Sequence, residues 1–88
     1  MITSRQVRAA RALLGWTQET LADKALVALT ALKRFESESG LLVREDTRDR
    51  VRAALEASGI IFLASERGEG VMLVHKREVA RKPVRRRT

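Results

Sequence analysis

The chain has no cysteine, one proline, one histidine and no tyrosine, and aromatic residues make up 3% of it. Each scarcity removes a class of protein. Without cysteine there is neither a disulfide framework nor a thiolate metal site. With His75 as the sole histidine, a histidine-based zinc site or a Ser-His-Asp triad has almost nothing to draw on. No apolar run is long enough to span a bilayer, and nothing resembles a cleavable signal peptide, so a cytoplasmic, non-membrane protein is expected. No carboxylate pair, nucleophile–base set or glycine-rich phosphate loop stands out. An enzyme is therefore not expected, and no metal or cofactor is implied. The "RGEG" stretch at 67–70 lacks the following helix that a phosphate cradle requires, and it reads as a turn.

What is present fits one small domain. Eighty-eight residues bury a limited core, and alanine, leucine and valine must fill it. The net charge of +7 suggests nucleic acid, but its distribution does not. Residues 76–88 hold seven basic residues and one acid, a balance of +6, and residues 1–75 are left with +1. The body (1–75) is nearly neutral. The tail (76–88, with Pro83) is expected to be disordered, and any DNA contact through it weak or non-specific.

Helical periodicity comes first. Thr3 or Ser4 can cap a helix running to about Leu14, with Val7, Ala10, Leu13 and Leu14 as its apolar stripe and Gly15 as its stop. Thr17 can cap a second helix whose inner face is Leu21, Ala22 and Ala25. After a break at 26–28, a third helix covers roughly 29–37, with Leu32 and Phe35 inward. Residues 37–40 read as a loop, and a fourth helix spans about 44–58, with Val51, Ala54 and Leu55 inward and Gly59 beyond its end. On its outer face Asp46 and Arg50 are spaced for an i,i+4 pair.

After Gly59 the period changes to two. "IIFLA" and "VMLVH" flank "SERGEG", which predicts a β-hairpin over about 60–75. Both of its faces are apolar. Ile60, Phe62, Val71 and Leu73 can point one way, and Ile61, Leu63, Met72 and Val74 the other. The second face needs a cover, and a homodimer through it is expected. Wrapping by the chain's own tail is the alternative.

The stretch "VRAARALLGWTQETLADKALVALTALKRFE" resembles the helix-turn-helix of the Xre/Cro-type repressor family. Arg11, Gly15, Trp16, Thr17-Gln18-Glu19, Leu21-Ala22, Ala25, Val27, Leu32 and Phe35-Glu36 fall in that family's order, and "RAALEASGIIF" is similar to its helix-then-strand ending. The resemblance covers Val7 to about Phe62. It implies a mainly α fold: a four-helix, lambda-repressor-like helix-turn-helix domain followed by the C-terminal hairpin. It also implies a partly buried salt bridge between Arg11 and Glu36, and a phosphate-contacting role for Gln18. The third helix would lie in the DNA major groove. Trp16 reads as a packing residue between the first two helices, and His75 as an ordinary strand residue.

The departures lie at the reading surface. Where the family has glycine in the turn, this chain has Leu26; where it has a capping Ser or Thr, this chain has Ala28. The positions matching base contacts are Leu29, Thr30, Lys33 and Arg34. Direct readout needs Arg, Lys, Asn or Gln aimed at base edges, which Leu29 cannot supply and Thr30 supplies weakly. Leu26, Ala28, Leu29 and Ala31 instead form an apolar patch where DNA would lie, and such patches mark protein interfaces; Leu29 is also three residues from Leu32, and folded inward with it would leave Leu26 and the alanines as the patch. Two functions follow. One is a binding module: a protein partner docks on Leu26, Ala28, Leu29, Thr30, Lys33 and Arg34, as expected of an antiactivator that silences a transcriptional activator. Within the family, the sequence is similar to the quorum-sensing antiactivators of rhizobia. The other is a dimeric DNA-binding repressor that uses Gln18, Thr30, Lys33 and Arg34; an antitoxin overlaps both.

Overall fold

The computed structural model describes residues 2–37 and 43–75. The expected tail (76–88) and most of the expected loop (37–40) lie outside the described residues. Among the described residues, four helices precede one antiparallel hairpin: α1 (Ser4–Leu14), α2 (Gln18–Ala25), α3 (Leu29–Glu36), α4 (Glu45–Ala57), β1 (Ile60–Ser65) and β2 (Gly68–Leu73).

Local chemistry sets the boundaries. Thr3 caps α1 in a capping box: its hydroxyl accepts from the Gln6 amide, and the Gln6 side chain accepts from the Thr3 amide. Gly15 ends α1 at φ 71, and the Trp16 amide reaches back to the Arg11 carbonyl. Thr17 caps α2 through the Thr20 amide. Gly59, at φ 102, turns the chain from α4 into β1, and a Cβ there would lie 3.0 Å from the Val74 carbonyl oxygen.

The core is small and aliphatic. Leu21, Leu32, Leu55, Val7 and Val51 are fully buried, joined by Ile2, Ala10, Ala22, Ala25, Phe35 and Ile60. Leu13 is a correction to the expected stripe: it is 48% exposed. Val7, Ala10 and Leu14 already fill the inward face of α1, and Leu13 stands about 100° around the helix from Leu14.

In the hairpin, Ile60 pairs with Leu73, Ile61 with Met72, Phe62 with Val71 and Leu63 with Gly70. The connection is shorter than expected. Gly68, Glu69 and Gly70 belong to β2, and only Glu66 and Arg67 form the turn, where the Ser65 hydroxyl accepts from the Arg67 amide. The inner face rests on α1 and α4. Buried Gln6 braces it from α1 by donating to the carbonyls of Leu63 (3.0 Å) and Gly70 (2.9 Å). His75 is exposed and lies beyond the last residue of β2, rather than within the strand. Among the described residues, no helix is long and apolar enough to cross a membrane.

Candidate functional site

The surface built by α2, the turn at 26–28 and α3 has one rigid end and one bare end. At the rigid end, Glu36 closes α3 as a buried carboxylate. Arg11 meets it with two nitrogens: Nε to Oε2 at 2.8 Å and Nη2 to Oε1 at 2.7 Å. Gln18 donates to the same carboxylate at 3.1 Å, and Arg8 donates to the Glu36 backbone carbonyl. Arg11 also donates to the Trp16 carbonyl at 3.1 Å, which ties the α1–α2 corner to the end of α3. The hydrogen bond to Glu36 pushes the Arg11 guanidinium above its ordinary pKa, against the opposing pull of burial. Gln18, a phosphate-contact candidate by resemblance, therefore has its amide engaged within the protein.

The bare end is the turn. The Leu26 amide bonds the Asp23 carbonyl and the Val27 amide reaches back to the Ala22 carbonyl, a closing pattern that needs a left-handed residue between them. That residue is Leu26, at φ 59 and ψ 45, the one non-glycine with positive φ among the described residues. The leucine thus takes the left-handed conformation itself. For an L-residue with a Cβ, this conformation costs about 1–2 kcal/mol. Two features hold it in place: Val27 packs against the core as the hydrophobic partner of the motif, and Arg50 donates to the Leu26 carbonyl at 3.3 Å. Arg50 is itself paired with Asp46 at 3.2 Å. Sequence reading found the Asp46–Arg50 pair but not its reach across to the turn, for which no local pattern exists.

The Leu26 side chain, free of any core role, is 76% exposed, the most of any large hydrophobic residue among those described. Ala28 is exposed and gives α3 no side-chain cap. Thr30, Lys33 and Arg34 are exposed beside it. Leu29 differs: it is half-buried and packs against the core, as does α3's inward pair Leu32 and Phe35. The apolar patch centres on Leu26 and Ala28, with Leu29 as its floor and Lys33 and Arg34 as its basic border.

The hairpin candidates lie elsewhere. Ile61 (43%), Leu63 (47%) and Met72 (47%) are exposed on one face, with half-buried Val74 at its end. Trp16 is half-buried against the core, with the Lys24 ammonium 5.2 Å from its ring centre. A packing role accounts for it.

Compared with protein-family models, with curated proteins and with solved structures, the chain finds no match.

Proposed function

We propose that the chain is a small transcription regulator in which a helix-turn-helix scaffold of the Xre/Cro kind binds a protein rather than reading DNA. Its partner would be a transcriptional activator that it silences, in the manner of an antiactivator in quorum-sensing control. The carrying observation is Leu26. A leucine in left-handed backbone costs stability and, held at 76% exposure, gains no burial in return. Contact with a partner would supply that burial.

The surroundings support the same reading. A DNA-reading helix needs polar donors at its first turn, and here that turn carries Ala28, Leu29 and one weak reader, Thr30. Lys33 and Arg34 supply a cationic rim, which speeds encounter with an acidic partner more than it lengthens residence. Gln18 is drawn into the Glu36 network, which weakens its claim as a phosphate contact.

The second reading, a DNA-binding repressor, draws on the exposure of Thr30, Lys33 and Arg34 on one helix. A gel shift with DNA from upstream of the chain's own coding sequence, run beside affinity capture from the native cell, separates the two. The protein-binding reading predicts a captured protein that is lost with Leu26→Asp, and no complex that prefers the upstream DNA over competitor. A competitor-resistant complex with the upstream DNA would favour the repressor.

A further inference from the structure

A cavity of about 170 Å³ lies against α4, lined by Ile2, Glu45, Arg48, Asp49 and Arg52. All but Ile2 are charged. On the helix they fall one turn apart in two rows, Glu45 with Asp49 and Arg48 with Arg52. Arg48 stands on the far side of α4 from Asp46 and Arg50, two residues away in either direction. This flank is therefore not the one that reaches the Leu26 turn.

The charges are unequally provided for. Arg52 donates to Glu56 at 3.0 Å, and its guanidinium lies 5.7 Å from the centre of the Phe62 ring. Arg48 has a ring as well, Phe35 at 5.5 Å, but no carboxylate. Its Nε is buried without a hydrogen-bond partner, the one side-chain nitrogen or oxygen in that state among the described residues. A ring face attracts the charge, yet it offers the N–H no oxygen. Buried polar groups are otherwise paired, so this orphan marks a place where an acceptor belongs. Glu45 and Asp49 are exposed, and neither forms an ion pair among the described residues.

We propose that this cavity binds a small α-amino acid as its zwitterion. The carboxylate takes the Arg48 fork, accepting from Nε and a terminal nitrogen side by side. The ammonium turns to Glu45 and Asp49, and buried Ile2 is the apolar wall beside the ligand's side chain. The unpaired charges select this class. One unpaired cation answers a carboxylate, and two unpaired acids answer an ammonium. A phosphate would gain Arg48 but face both acids, and a simple amine would leave Arg48 as it is. Size agrees: at about 30 Å³ for each water, 170 Å³ has room for roughly six, the heavy-atom count of free alanine. This proposal does not rest on the function proposed for the Leu26 surface.

NMR of the isotope-labelled full chain reads it directly. The Arg48 Nε–H has its own signal, assigned by its loss in Arg48→Lys. Titration with free alanine should shift that signal and the Ile2 amide together, saturating with a Kd of about 1 mM or below. Acetate, methylammonium and inorganic phosphate should each bind at least about tenfold more weakly. Asp49→Asn, at an exposed position, should weaken alanine but not acetate, with unchanged circular dichroism. The absence of a saturable shift with alanine overturns the proposal. So does acetate or phosphate binding as tightly as alanine, which would make the cavity a plain anion site.

Discussion

The two ends of α3 are built to opposite standards. At its C-terminal end, Glu36 is buried under Arg11 and Gln18, and its carbonyl is held by Arg8. At its N-terminal end, Ala28 provides no cap, and the preceding turn holds a leucine in strained backbone with its side chain in solvent. One eight-residue helix is thus fixed tightly at one end and left deliberately bare at the other. The contrast separates two kinds of residue: those that hold the helix in position and those that the position presents. Stability resides mainly in the first group. The second sacrifices stability for exposure, which is the pattern of a contact surface.

The largest expected effect tests the rigid end. Glu36→Ala leaves two arginine nitrogens and the Gln18 amide without their acceptor in a buried site. A loss of about 3–5 kcal/mol is expected, which in so small a domain shifts the melting temperature by 10 °C or more, on the order of the whole stability. A thermal melt reads it, and a shift of only a few degrees would mean that the network is ornamental.

Two substitutions at the bare end should act in the opposite direction. Ala28→Ser restores a capping hydroxyl and should stabilise the chain by about 1 kcal/mol in chemical denaturation. No gain would show that another acceptor already satisfies the first turn of α3. Leu26→Gly removes the left-handed strain while adding freedom to the unfolded chain, leaving a net gain of about 0.5–1 kcal/mol. If it instead destabilises, the exposed leucine carries a folding role and the contrast between the two ends collapses. The smallest effect belongs to Lys33→Ala, expected to move stability by less than about 0.5 kcal/mol, because the side chain is exposed and makes no contact that the fold needs.

Much of the scaffold is legible in the sequence because its signals are local. Thr3, Thr17, Gly15 and Gly59 mark helix ends by their own conformational chemistry, and the change of period after Gly59 marks the hairpin. Arg11 and Glu36 could be paired only through resemblance to a known pattern, since twenty-five residues separate them. What escaped was non-local or ambiguous in phase. Leu13 fits a helical stripe on spacing alone, and only the rotation of α1 in the assembled fold leaves it outside. Gln6 was not singled out, and nothing in the sequence shows it reaching two strand carbonyls. Gly68 and Gly70 suggested a loop because glycine usually breaks strands, yet pairing across the ladder keeps both within β2. At the candidate surface, the sequence placed Leu26 in the turn and left Leu29, three residues from Leu32, open to the patch or the core. The fold divides them, since only Leu26 sits where no inward orientation exists.

The most direct measurement places a photo-crosslinking amino acid at position 26 of the full chain and irradiates it in the native cell. If the bare end of α3 is a protein contact, the adduct is a discrete protein, resistant to nuclease and sensitive to protease. An adduct that is instead nuclease-sensitive, with DNA as its second component, would place nucleic acid against Leu26 and contradict the account.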